Sequence, residues 1–182
     1  DARDARRESF IHVEVDRVIE PARLDALARD VARVLIDVRL AVADWAKMRD
    51  RLSAVVAEID ARPPPMSPEE LAESKAFLSW LADAHFTLLG YRCHDLVVVD
   101  GQDALKIVPG SSLGVLRENP AQEVATSFAA LPPEVRAYAR VADLLIVTKA
   151  NARSTVHRPG YLDYVGVKRF DAAGNVCGEH RF

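Results

Sequence analysis

No glycine or proline interrupts the chain from Ala22 to Arg62, and eleven apolar residues recur through that stretch at alternating spacings of three and four. They are Leu24, Leu27, Val31, Val34, Val38, Ala41, Trp45, Met48, Leu52, Val55 and Ile59. On a helix this spacing aligns all eleven along one seam, with Arg23, Arg29, Asp30, Arg33, Asp37 and Asp44 elsewhere on the surface. An unbroken helix of this length would reach about 60 Å at 1.5 Å per residue. Two arrangements satisfy the pattern. One is a bundle or core-facing helix that breaks once near Asp44, and the other is a long connector that joins subunits or domains.

Flanking signals divide the rest. Phe10 to Asp16 is rich in β-branched residues and reads as a strand, preceded by only nine residues that are mostly charged or small. It is expected to be the last strand of a unit whose other strands lie outside the sequence. Pro21 suits the first turn of the helix. Pro63, Pro64 and Pro65 end it, because proline cannot continue a helix and restrains the residue before it. Ser67, Pro68, Glu69 and Glu70 then predict a second helix, with Ser67 as N-cap and Leu71, Phe77, Leu78 and Leu81 on its apolar side, ending near Ala84.

Beyond Ala84 the pattern is strand-rich. Strands are expected at Phe86 to His94, with Leu96 to Val99 continuing or following it, and at Ala104 to Val108, Leu113 to Arg117, Leu144 to Lys149, Tyr161 to Phe170 and Val176 to Phe182. Asp100-Gly101 and Asp171 to Asn175 supply turns. A short helix is expected between Pro133 and Arg140. Strands joined by hairpins, with helices gathered in one stretch, predict an α+β fold on an antiparallel sheet. The last strand runs to the final residue, so the expectation is a piece of a longer protein.

Composition narrows the function classes. Apolar residues make up 49% and charged residues 28%, the balance of a folded globular domain. Up to residue 60 there are 11 basic and 13 acidic residues, from 61 to 139 there are 6 and 10, and from 140 onward 7 and 4. Such a balance disfavours nucleic acid as a partner. No stretch is apolar for the roughly 18 residues of a membrane span. Cys93 and Cys177 lack metal-ligand spacing and are expected to be reduced thiols of a cytoplasmic protein. His85 and His94 have no companion acid or cysteine to make a metal site. Gly110 to Gly114 lacks the lysine of a phosphate loop, and no nucleophile elbow is present. No catalytic, cofactor-binding or metal-binding residue is therefore assigned.

One segment is dense in hydrogen-bond donors. Lys149, Asn151, Arg153, Ser154, Thr155, His157 and Arg158 fall in an expected loop directly after a strand, where they can hold a small anion or a neighbouring domain. The plainer expectation is a loop ordered by acids of its own domain. A small molecule against the sheet near Arg92, Lys149 and Arg153 is a related possibility.

The same residues carry a resemblance. Thr148 to Pro159 followed by Tyr161 to Phe170, Phe86 to Arg92, Val108 to Arg117 and Ser9 to Arg17 together resemble the large bacterial NAD-specific glutamate dehydrogenases, in the same order. The resemblance implies the end of an ACT-like domain at residues 1–19, a helical connector at 20–65 and a PAS-like α+β domain at 67–182. It further implies a regulatory and assembly module whose parent binds NAD and oxidises L-glutamate, with the dehydrogenase site outside this stretch. Other domains and subunits of a homo-oligomer, and a small-molecule effector, are the partners it implies. Two other roles stay open from the residues alone: a small-molecule sensor with an anion site around Lys149 and Arg153, and a coiled-coil spacer built on the seam.

Overall fold

The computed structural model describes residues 9–99, 101–117 and 143–182. The chain divides into two compact units, residues 1–33 and 34–182. In the first, residues 9–20 form neither helix nor strand, so the strand expected at Phe10 to Asp16 is not formed. A strand is held by a partner's backbone N–H and C=O groups, and no described strand pairs with this segment. Phe10, Ile11, Val13 and Val15 stay exposed. The helix expected between Pro133 and Arg140 lies outside the described residues.

Helix α1 (Pro21–Ala61) is continuous, with no break at Asp44. Within the second unit its seam changes character along its length. Met48, Leu52, Val55 and Ile59 are buried, whereas Val38 and Trp45 are exposed, as is Val42 beside the seam. Asp44 departs from the expected pattern: it lies buried rather than on the outer surface.

Helix α2 (Pro68–Trp80) begins as its residues dictate. The Glu70 N–H donates to Ser67 Oγ at 3.2 Å and Glu70 Oε2 accepts from the Ser67 N–H at 3.1 Å, a reciprocal capping box with Pro68 at the first position. It ends in one wide π-helical turn, Leu81–His85, in which Ala84 takes φ +58°. His85 Nδ1 donates to the Trp80 carbonyl at 3.1 Å, and the two rings stack.

Six described strands follow, named β1 (Gly90–Val99), β2 (Gln102–Ile107), β3 (Leu113–Gly114), β4 (Leu145–Arg153), β5 (Tyr161–Phe170) and β6 (Val176–Arg181). All pair antiparallel in the order β2-β1-β6-β5-β4, and β3 pairs with the start of β1. Of the two readings open for Leu96 to Val99, continuation of the preceding strand is the one formed, since Asp95 pairs with both Lys106 and Gly178, and residues 86–89 remain irregular. Strand β4 runs four residues further than expected, through Arg153, and its register shifts between Lys149 and Arg153.

One face of the sheet carries the core. Tyr91 and Cys93 of β1, Val165 and Val167 of β5 and the final Phe182 pack with Met48, Leu52, Val55 and Ile59 of α1 and with Leu78 and Leu81. Since successive strand residues face opposite sides, Arg92, His94, Tyr164, Lys168, Glu179 and Arg181 belong to the other face. The split seam makes a measurable difference. Leu52→Ala should cost about 2–5 kcal/mol in urea unfolding, whereas Val38→Ala, at an exposed position of the same seam, should stay within about 0.5 kcal/mol. Equal effects would mean that the seam is not divided in this way.

Candidate functional site

Three polar arrangements stand out, and each is built from residues distant in sequence. The first joins α1 to the segment after β3. Asp44 has no exposed surface; its Oδ2 accepts from the Gly114 N–H at 2.9 Å and from Arg117 Nε at 2.5 Å, and its Oδ1 accepts from Arg117 Nη2 at 2.5 Å. This is a bidentate guanidinium–carboxylate pair with a backbone donor added. The Arg117 hydrogen bonds outweigh burial and, helped by Gly114, hold the carboxyl well below the usual carboxylate range. Gly114 is at φ +61°, and a Cβ there would fall 2.2 Å from the Leu89 carbonyl oxygen, so only glycine admits this approach.

The second runs between α1 and the core face of the sheet. Arg51 Nε donates to Tyr91 Oη at 2.9 Å, and Tyr91 Oη lies 2.9 Å from His180 Nδ1. A guanidinium can only donate, so Tyr91 Oη accepts from Arg51 and shares its second hydrogen bond with His180 Nδ1. His180 Nε2 faces Glu58 Oε2 at 3.5 Å. Glu58 in turn pairs with Arg51 at 3.2 Å. Burial, with Arg51 and Arg169 nearby, lowers the pKa of His180 to about 3. Beside this chain Arg169 Nη1 lies 3.4 Å from Cys93 Sγ and donates to Asp95 Oδ1 at 2.7 Å. Burial raises the Cys93 pKa, which favours the thiol.

The third occupies the opposite face. Tyr164 Oη donates to Glu179 Oε1. Burial, reinforced by the Glu179 charge, raises the tyrosine pKa well above its ordinary value. The Arg181 guanidinium lies over the Tyr164 ring at 4.8 Å. His94 is buried with its Nδ1 unpartnered, and burial together with Arg181 and Arg92 lowers its pKa to about 3. Next to this cluster a cavity of about 450 Å³ opens, with Gly90, Ala150, Ala152, Leu162, Tyr164 and Arg181 among its walls.

Of the residues singled out from sequence, Ser154, His157 and Arg158 line that cavity, and Lys149, Asn151, Arg153 and Thr155 lie outside its wall. Lys149, Asn151 and Arg153 are on β4 rather than in a loop. Lys149 Nζ pairs with Asp163, which Arg158 also approaches at 3.9 Å, and Arg153 lies over the Tyr161 ring at 5.2 Å. Thr155 Oγ1 donates to Asp37 Oδ2 at 2.6 Å, and Ser154 Oγ donates to the Val156 carbonyl at 2.5 Å. Acids of the same unit thus engage much of the segment. On the cavity wall His157 takes φ +68°. Arg92 binds Ser112 Oγ at 3.1 Å and the Leu116 carbonyl. Asp44, Tyr91, His180, Tyr164, Glu179 and Arg181 were not anticipated. The available signal was β6 itself, where Glu179, His180 and Arg181 put polar groups on both faces of a central strand.

Among the described residues no group of three or more His, Cys, Asp or Glu could hold a metal ion, and no helix is long and apolar enough to cross a membrane. The class defined is an α+β domain with an antiparallel sheet, a cavity on one face and a helix-covered core on the other. No protein-family model matches the chain. Over its whole length it is 36% identical to the NAD-specific glutamate dehydrogenase of Halomonas elongata. Over 99% of its length it is 34% identical to that of Pseudomonas aeruginosa. The chain spans 11% of the length of each. It is thus similar to one short segment of a large bacterial NAD-specific glutamate dehydrogenase, as its motifs imply.

Two outcomes follow from these contacts. Asp44→Ala leaves Arg117 and the Gly114 N–H without their acceptor. With the Arg117 side chain 43% exposed and open to water, the buried Gly114 N–H is the group left without an acceptor, and the loss should be about 1–3 kcal/mol, read by denaturant unfolding. The pH dependence has a second source. His94 and His180 stay neutral in the fold down to about pH 3, whereas in the unfolded chain each takes a proton near 6.5. The unfolded state therefore binds more protons between those values, and stability should fall as pH drops through about 6.5, by up to about 1.4 kcal/mol per pH unit for each histidine. The depressed Asp44 adds a further loss only below about pH 4. Flat stability from pH 7 to 5 would contradict the histidine assignment.

Proposed function

We propose that the chain is a non-catalytic regulatory and assembly module of a NAD-dependent glutamate dehydrogenase. The parent converts L-glutamate and NAD to 2-oxoglutarate, ammonium and NADH in the cytoplasm, with NAD bound outside this stretch. The observation that carries this reading is similarity along the whole chain to a segment that forms only 11% of two such enzymes. In this reading residues 1–19 end an ACT-like domain, 20–65 connect, and 67–182 form a PAS-like domain. Long antiparallel strands with the first and last paired at the centre of the sheet support the PAS-like assignment.

The module's partners are other domains and subunits of a homo-oligomer. Two surfaces support this. Val38, Val42 and Trp45 are exposed on α1, and β4, an edge strand of the described sheet, carries exposed Lys149, Asn151 and Arg153. Leu35 and Val42 widen the exposed stripe beyond a strict coiled-coil seam, which favours docking on a folded neighbour over a two-stranded spacer. A second role, small-molecule sensing, is favoured by the cavity beside Arg181, to which the donor-rich segment contributes Ser154, His157 and Arg158 rather than Lys149 and Arg153.

The purified chain should produce no NADH from glutamate and NAD, and measurable turnover would overturn the non-catalytic reading. In the complete protein, Val38→Glu combined with Val42→Glu should shift the sedimenting species to smaller size. Unchanged sedimentation would remove the assembly role.

A further inference from the structure

We infer that the cavity beside β4 and β5 is a binding site for a small monocarboxylic acid with an apolar body, anchored by Arg181. This deepens the small-molecule reading above and rests on it. The space exists because of residue size: Ala150 and Ala152 put almost no side chain into it, while Gly90 makes room for Leu116 of the opposite wall, and a volume of about 450 Å³ stays open, within the range of small-molecule pockets. Its apolar wall includes Leu88, Leu116 and Leu162.

Arg181 is the cation of this wall that belongs to a central strand. In the β1–β6 ladder it stands directly opposite Arg92, and like charges directly opposite cost stability. Arg92 turns to Ser112 and the Leu116 carbonyl. Arg181 instead lines the cavity, with its Nε buried and without a hydrogen-bond acceptor. Glu179 Oε1, which accepts from Tyr164, forms an ion pair with Arg181 Nε at 3.6 Å but does not come within hydrogen-bond distance of it. A buried guanidinium nitrogen without an acceptor is costly. A carboxylate satisfies it in a planar, two-point geometry.

The neighbouring groups define the ligand further. Arg158, the other guanidinium of the wall, is largely exposed and faces Asp163 at 3.9 Å. The buried end of the cavity therefore offers the single charge of Arg181, which suits one negative charge better than a phosphate dianion that needs more donors. Asp163, also on the wall, is engaged by Lys149 and approached by Arg158. The expected occupants are therefore apolar amino acids or 2-oxo acids, held by the carboxylate with the side chain against the leucines.

Isothermal titration of the chain with phenylpyruvate, leucine and octanoate tests this, with benzyl alcohol and inorganic phosphate as controls. At least one of the carboxylates should bind saturably, and both controls should bind at least about tenfold more weakly. Arg181→Met should weaken binding about tenfold or more, the effect expected for losing a charged hydrogen-bond pair. Ala152→Trp, which fills the space and leaves the charge in place, should abolish binding while circular dichroism stays unchanged. The inference is overturned if no carboxylate binds the folded chain, if benzyl alcohol or phosphate binds as tightly, or if the Ala152→Trp chain still binds. Binding that leaves glutamate oxidation by the complete protein unchanged would retain the site and remove only its regulatory use. Absence of binding would remove the site and leave the assembly role intact.

Discussion

Burial of one half of α1 against the centre of the sheet is the constraint on which the other contacts depend. Met48, Leu52, Val55 and Ile59 cover β1 and β5 at Tyr91, Cys93, Val165 and Val167, and that packing fixes the helix rotation. With the rotation set, Asp44 and Arg51 have no choice of direction. Asp44 sits one turn before Met48 and meets Gly114 and Arg117, while Arg51, beside Leu52, meets Tyr91. Polar contacts here are therefore consequences of apolar packing. They add specificity to an orientation that dispersion and the hydrophobic effect have already selected.

The two faces of the sheet are put to different uses. The core face admits a hydrogen-bonded chain, Arg51 to Tyr91 to His180, with Arg169 and Cys93 beside it. The other face concentrates ionisable groups and leaves a cavity. Burying that many polar groups on a face not filled by leucine and valine departs from the plain requirements of folding. Such departures are expected where a surface is shaped for contact with something else.

Much of the architecture could be read from the residues in order. The seam from Leu24 to Ile59 marked helix, though not whether it broke near Asp44; Ser67 and Glu70 marked the start of the next, and Asp171 to Asn175 marked the last hairpin. These are local signals, carried by spacing within a turn or two. The failures were non-local. Asp44 reads as a surface carboxylate until the backbone of Gly114, seventy positions away, is brought to it. Phe10 to Asp16 has strand composition but finds no described pairing partner. His180 and Glu179 look exposed by type, yet β6 lies between two neighbours, so both faces are covered. The Lys149 to Arg158 segment was rightly read as rich in donors. That several of those donors would be engaged by Asp37 and Asp163, while Arg181 faced the open space, depended on strand register.

The close approach of Gly114 to the Leu89 carbonyl limits how this protein can change over generations. A side chain at position 114 would push back the start of β1 and carry Gly90, part of the cavity wall, along with it. Single substitutions in that loop therefore disturb the pocket and the helix contact together, so the loop is a poor place for selection to adjust one property without the other. Ala150, Ala152 and Leu162 face the same space without touching Asp44 or its partners. A lineage that altered what the cavity admits would have an open route through those three positions and a closed one through the loop.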